Sequence, residues 1–334
     1  MESRIPVHVG TDCTGLGAIC IALQALRVAF RHIFGSEIDD AARRQTAVVP
    51  EIFYRDVCAR SCRDPPCVDV YVCGFPCQPF SQAGLGRGFL EDRGQVFFHI
   101  YRYIKYKQPR SFILENVQGL ESVQSGECFR QILLMLWSLE TYNIWFELLD
   151  TREHGVPHSR PRWYFVGILA SEDRGTFQMP APIPCPSIER FLQPRLGRPS
   201  DQDLPPTSQS VARLNVMCTL HELRLQGRDP LEECWLIDCD SSHGRSGFML
   251  ECSPCITRSR ARGHWITNRG RRLSTAEAMS LQGIRCGIAL QTTEVQFCQI
   301  LGNSMSVNIL ERLLCRLLPA VGLWEGFDLR DPHG

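Results

Sequence analysis

The chain has 334 residues, enough to bury a large core in one domain or two. Its 36 basic and 36 acidic residues balance, which excludes a global field for holding nucleic acid and leaves any such partner to a local patch. Hydrophobic residues make up 44% and charged ones 22%, ordinary for a globular enzyme, and no apolar run approaches the roughly 18 residues of a membrane span. The 17 cysteines are an odd number, and Met1-Glu2-Ser3-Arg4-Ile5-Pro6 opens no apolar signal segment. Reduced intracellular thiols are expected, most of them small buried hydrophobes rather than a disulfide framework.

Val7 to Thr11 reads as a strand ending in Cys13-Thr14-Gly15-Leu16-Gly17-Ala18, and Ile19, Ala22, Leu23 and Leu26 follow at helical spacing. Ile33 to Ser36 predicts a second strand, closing on Glu37. The apolar run Val68 to Cys73 leads into a tight turn, Gly74-Phe75-Pro76-Cys77-Gln78-Pro79. Phe97, Ile100, Tyr101 and Ile104 mark a helix stopped by Pro109, before a strand from Ser111 to Leu114 that ends in Glu115-Asn116-Val117. Ile132, Leu133, Leu136 and Leu139 give another helix face, and Ile144 to Leu149 and Trp163 to Leu169 two more strands. This alternation predicts an α/β fold with a doubly wound, mostly parallel sheet over residues 1–175. Prolines from Pro180 to Pro206 then break the periodicity, and residues 176–268 are expected to form a smaller, irregular region. Patterning returns over 269–334, a segment expected to pack back on the first domain.

Cys77 and Glu115 are placed by this reading at the carboxyl ends of two strands, on the rim where open α/β sheets bind ligands. A thiolate is the nucleophilic form of cysteine, and nearby arginines would favour it. A buried structural cysteine is the alternative, but proline on both sides of the turn fixes an exposed backbone at some loss of packing. Glu115 could be a salt-bridge partner or, beside a nucleophile, an acid catalyst. Gly15-Leu16-Gly17 is either a plain tight turn or a close approach for a nucleotide-like ligand, whose ribose Glu37 could bind. Asp56 reads equally as a strand-end cap or a partner for an adenine amino group. Arg258, Arg260, Arg262, His264, Arg269, Arg271 and Arg272 lie in a stretch without acids, a solvated face or a phosphate-contacting strip. Cys234, Cys239, Cys252 and Cys255 are irregularly spaced for a zinc ribbon, and no metal is expected.

In this order these residues resemble the cytosine-C5 DNA methyltransferase family. Gly74-Phe75-Pro76-Cys77-Gln78-Pro79-Phe80-Ser81 is similar to its nucleophile loop, and Glu115-Asn116-Val117 to its acid motif. Arg160-Pro161-Arg162 resembles its arginine pair, Arg272-Leu273-Ser274 through Leu281-Gln282-Gly283 its penultimate motif, and Gly302-Asn303-Ser304-Met305 its last. The resemblance implies a Rossmann-like domain that binds S-adenosyl-L-methionine through Gly15, Leu16, Gly17, Glu37, Ile38, Asp56, Val57 and Asn303. It implies Cys77 as nucleophile toward cytosine C6, Glu115 as acid at N3, Arg162 as holder of the base and Arg160 as support of the loop. Cytosine-containing duplex DNA is the implied partner, read by residues 176–268, with the target base flipped out of the stack. Three positions depart from the pattern: Cys13 for an aromatic residue, Ala18 for glycine and His158 for glutamine. The tRNA-methylating branch of the family, which carries Cys-Phe-Thr where this chain has Cys255-Ile256-Thr257, is the alternative, and a catalytically silent nucleic-acid-binding module a further one. A monomer is expected, targeted by its own recognition region or by another protein, in the nucleus of a eukaryote or otherwise in the cytoplasm and nucleoid.

Overall fold

The computed structural model describes residues 5–76, 95–242, 244–324 and 329–333. They divide into two compact units, Met1–Leu149 with Pro161–Ala181 and Ile309–Gly334, and Asp150–Arg160 with Pro182–Asn308. Residues 269–308 thus group with the second unit and only the last helix and tail with the first.

The first unit is built on β1 (Val7–Asp12), α1 (Ala18–Ala25), β2 (Phe30–Ser36), α2 (Asp40–Gln45), β3 (Ile52–Tyr54), β4 (Val70–Gly74), α3 (Gln95–Lys107), β5 (Ser111–Val117), α4 (Glu127–Trp137), β6 (Tyr142–Asp150) and β7 (Pro161–Leu169). The strands form one sheet in the order β3-β2-β1-β4-β5-β7-β6. The pairings from β3 through β5 are parallel, and β7 runs antiparallel to β5. The expected mostly parallel sheet is therefore present. Its strand order reverses between β1 and β4, so the crevice beyond their carboxyl ends is the natural ligand position. Strands buried on both faces carry near-continuous apolar runs, here Val70, Tyr71, Val72 and Cys73, all within 1% of full burial. On α3 the fully buried positions are Ile100, Tyr103 and Ile104; Tyr101, expected in that stripe, is only partly covered. The short β3 escaped the sequence reading, because three residues after a proline offer no period to detect.

The second unit has two layers. Its antiparallel sheet orders β11-β10-β8-β9, comprising Arg271–Arg272, Trp265–Ile266, Trp235–Ile237 and Phe248–Leu250. Against it lies α5 (Ser210–Leu225), which buries Ala212, Val216 and Leu220 on Ile237, Cys239 and Trp265. The region expected to be irregular therefore contains a 16-residue helix. Val211, Leu214, Met217 and Leu225 are exposed on it, and apolar residues on both faces erase the contrast that reveals a helix in sequence. The helices α6 (Thr275–Leu281) and α7 (Glu294–Asn303) each begin in a capping box, Ser274 with Glu277 and Thr293 with Gln296. The last helix, α8 (Val307–Ala320), continues into the first unit.

The cysteines depart from expectation. No disulfide joins the described ones, but only Cys20, Cys73, Cys128, Cys234, Cys239 and Cys298 are buried, and Cys67, Cys185, Cys218 and Cys286 are exposed. No helix among the described residues is long and apolar enough to cross a membrane.

Candidate active site

Parallel pairing of β4 with β5 sets Gly74 opposite Glu115, and β7 sets Tyr164 on the other side of Glu115. Gly74 stands three residues before Cys77. Cys77 itself, with the rest of its loop through Arg93, lies outside the described residues. The chain up to Pro76 is firmly placed: Phe75 is buried against Phe97, and the Asn116 amide donates to the Phe75 carbonyl at 3.1 Å. Asn116 thereby ties β5 to the segment that follows β4. The Glu115 carboxylate, 8% exposed, meets the Arg162 guanidinium at 3.2 Å. Arg162 reaches it from β7, where it is registered with Val117. Among the described residues Cys73, the buried thiol next to Gly74 on β4, has its pKa pushed well up by burial, a hydrogen bond with Cys13 and the charges of Cys13, Asp12 and Glu115. Cys73 is thus held as a thiol and unsuited to attack.

The glycine turn follows β1. Cys13, Gly15 and Gly17 all take positive φ, 51°, 54° and 79°, a conformation that strains Cys13 and suits the glycines. A Cβ on Gly15 would find nothing nearer than the Cys13 carbonyl at 3.8 Å, so the turn opens outward. Leu16 is 1% exposed and its carbonyl accepts from Ala47, so it can meet a ligand only through its backbone N–H. Glu37, at the end of β2, accepts from Gly15 N at 2.8 Å and from Asp39 N at 2.9 Å, one bond to each oxygen. A carboxylate offers about four lone-pair sites, so acceptor capacity remains for hydroxyl groups. Beside it Ile38 is 65% exposed, an apolar surface at a strand end. Asp56 accepts from Cys58 N in a side-chain turn and Val57 is buried. An outward-opening glycine turn, a strand-end carboxylate and an exposed isoleucine fit a ribose and a base.

Beneath this rim lies a group that sequence reasoning missed. Asp12, fully buried, receives both oxygens' bonds from Arg60 at 2.7 and 2.6 Å and a third from the Tyr71 hydroxyl at 2.6 Å. Burial and the Asp12 charge raise the Tyr71 pKa, keeping it a donor. An acid inside a strand implies a buried cation, but nothing in the sequence says that it is Arg60, 48 residues away.

In the second unit Arg160 is 2% exposed and donates to the carbonyls of Ile256 at 2.7 Å, Gly302 at 3.1 Å and Ser304 at 2.7 Å. It braces the Cys255-Ile256-Thr257 segment and the turn after α7; the nucleophile loop that it is expected to support lies outside the described residues. His158 completes that brace. Its Nε2 accepts from Ile256 N at 2.9 Å, so Nδ1 carries the proton given to the Leu281 carbonyl at 2.8 Å. One acceptor and one donor are also what a glutamine amide presents, which explains how histidine serves there. Gly302 packs so closely that a Cβ would lie 2.3 Å from the Thr257 carbonyl carbon. Asn303 is exposed at the end of α7.

The arginine strip is largely engaged. Arg260 pairs with Asp238, Arg269 with Glu189, Arg271 with Glu277 and Arg272 with Asp240. His264 is 1% exposed. Arg258 and Arg262 are the exposed members. The acids that neutralise the strip come from outside its own stretch, so the sequence run concealed them. Among the described residues, Glu189, Cys234 and Glu251 bring ligand atoms within 4.8 Å of one another, but Arg269 holds Glu189 through both oxygens and supplies the positive charge there.

Comparison with known proteins adds to this geometry. Residues 13–213 match the family model described as C-5 cytosine-specific DNA methylase. The type II methyltransferase M.NgoBI of Neisseria gonorrhoeae is 33% identical over 314 residues, 91% of this chain and 92% of that relative. The type II methyltransferase M.HaeII of Haemophilus aegyptius is 29% identical over 311 residues, 92% of each. Among solved structures, the S. pombe Dnmt2 methyltransferase superposes with a TM-score of 0.63 at 18% identity, over 94% of this chain and 99% of that one. The Entamoeba histolytica methyltransferase EhMeth gives 0.65 at 17%, over 96% and 100%. At such identities the two structures speak to the fold alone.

Proposed function

The chain belongs to the C-5 cytosine-specific DNA methylase family and is a DNA cytosine-5 methyltransferase, and from that premise we propose that it works through a covalent Cys77–C6 adduct on a flipped-out cytosine. The observation that carries the reading is the Gly74–Glu115 register, with the Glu115–Arg162 contact at 3.2 Å. It puts a carboxylate of fixed orientation beside the strand that delivers Cys77.

In this mechanism the base leaves the duplex stack, a cost of a few kcal/mol. The Cys77 thiolate attacks C6 while Glu115, hydrogen-bonded at N3, prevents charge from accumulating on the ring. C5 thereby becomes nucleophilic. S-adenosyl-L-methionine, when bound, supplies the electrophilic methyl group. After C5 is methylated, its proton leaves to a base and the C5–H electron pair expels Cys77 from C6, restoring the aromatic ring. Arg162 fixes the Glu115 carboxylate and holds the base. Arg160 would support the loop, and it also braces the second unit through the carbonyls of Ile256, Gly302 and Ser304. Gly15, Leu16 through its backbone, Gly17, Glu37, Ile38, Asp56 and Val57 would hold the cofactor, joined by Asn303. Residues 176–268 would read the DNA, and the protein would act as a monomer, with targeting from this region or a separate protein.

Tritiated methyl transfer from S-adenosyl-L-methionine to duplex DNA and, in parallel, to tRNA tests the reading. Label in duplex DNA that Cys77→Ser abolishes, with cofactor binding intact, is expected. Label in tRNA alone would move the chain to the tRNA branch. Cofactor binding with no label in either would leave the silent module.

A further inference from the structure

We infer that Arg60 is a positioning residue for the cofactor, a single buried guanidinium that locks together the strand ends from which the cofactor-binding residues project. This rests on the cofactor reading above and adds to it the residue that holds the site in shape.

The geometry is specific. One Nη atom of Arg60 bonds both oxygens of Asp12, the last residue of β1, at 2.7 and 2.6 Å. Its Nε donates to the hydroxyl of Ser36, the last residue of β2, at 3.2 Å. Its guanidinium carbon lies 5.0 Å from the ring centre of Tyr54, the last residue of β3. Through Asp12 it also engages Tyr71 of β4 at 2.6 Å. Four strands that are neighbours in the sheet are thus joined, β1, β2 and β3 at their carboxyl ends and β4 through its second residue. Gly15 to Gly17 follow the first of these ends, Glu37 and Ile38 the second, and Asp56 and Val57 the third.

The side chains of Arg60 and Asp12 are 6% and 0% exposed, so the pair is a sealed floor and not a surface contact. Lysine could answer the charge of Asp12 but not the planar fork that also reaches Ser36 and stacks on Tyr54. A device that served stability alone would need only one partner per charge. Arg60 instead fixes the spacing among three separate ligand-bearing loops, which is what preorganisation of a binding site requires.

The test is calorimetric titration with S-adenosylhomocysteine of the parent, Arg60→Lys, Tyr71→Phe and, as control, Arg312→Lys, each with its melting temperature. Arg312 is similarly buried, at 3% side-chain exposure, and pairs with Asp331. Arg60→Lys is expected to raise Kd roughly tenfold or more, and Tyr71→Phe, which deletes one hydroxyl and keeps the ring, about two- to tenfold. Arg312→Lys is expected to lower the melting temperature with Kd unchanged. In turnover, KM for S-adenosyl-L-methionine rises while KM for DNA holds. Unchanged affinity in both Arg60→Lys and Tyr71→Phe, or an equal loss in the control, overturns the proposal. If Arg60→Lys does not fold, Tyr71→Phe decides. A parent that binds no S-adenosylhomocysteine would instead remove the cofactor reading, and the clamp with it.

Discussion

In the first unit the telling charges, Glu37, Glu115 and Arg162, stand at or next to strand ends, whereas in the second unit Arg260, Arg269, Arg271 and Arg272 are each paired with an acid of their own unit. Both sets look functional in sequence. The difference lies in what brings the partners together. A parallel sheet places consecutive strand ends on one rim by topology, so a motif at a strand end inherits a position. A run of like charge inherits none, because its counter-charges arrive from distant segments such as Glu189 and Asp238. An arginine cluster therefore indicates nucleic acid only after its internal partners are subtracted.

That contrast can be broken most sharply at the acid. Glu115→Gln keeps the volume and removes the proton donor; kcat should fall about 10²- to 10⁴-fold with cofactor affinity preserved. A loss under tenfold would make Glu115 a strand-end ion pair like those of the second unit. Next in size is Arg160→Met, which leaves the carbonyls of Ile256, Gly302 and Ser304 without their shared donor. It should cost about 3 kcal/mol or more in denaturant titration. Normal stability with lost turnover would return Arg160 to the catalytic group. The arginine strip divides the same way. Arg272→Ala should cost about 2 kcal/mol through Asp240, whereas Arg262→Ala should leave melting unchanged and lower the salt slope of DNA binding by about one. The reverse result would overturn the division between paired and exposed arginines.

The smallest expected effect concerns pH. His264 is fully buried, and desolvation lowers its pKa, against the opposing pull of Asp238. The folded state thus binds its proton less readily than the unfolded state, whose histidine titrates near 6.5. Its contribution is complete above that pH and declines as the pH falls below it. His32 in the first unit is lowered for the same leading cause and acts in the same direction. Melting temperature should drop between about pH 7 and 5, and His264→Gln should flatten part of that fall. An unchanged slope would remove His264 as a contributor.

Much of the first unit was legible because apolar runs bounded by glycine and proline have few readings. The runs at Val68 and Ser111 became β4 and β5, and the candidate catalytic positions Cys77 and Glu115 follow from where those runs end. What could not be read was lateral. Nothing along the chain says that Gly74 pairs with Glu115, or that Arg60 lies under three strand ends. Both are consequences of sheet order, which one-dimensional periodicity does not contain. In the second unit even the periodicity was muted, since α5 exposes Leu214 and Met217 opposite its buried face. His158 shows a further limit: the sequence marks it only as a departure from the family pattern, and the fold shows that it presents one donor and one acceptor, as a glutamine amide would.

The most direct measurement is to trap the covalent step. Duplex DNA with 5-fluorocytosine at the target blocks the final elimination, because fluorine cannot leave C5 as the proton does. Incubated with S-adenosyl-L-methionine, the parent protein should form a denaturation-resistant DNA adduct with the peptide that carries Cys77, and Cys77→Ser should form none. Methylation of ordinary duplex DNA without any trapped adduct, or an adduct at another cysteine, would contradict the assignment of Cys77 as the nucleophile.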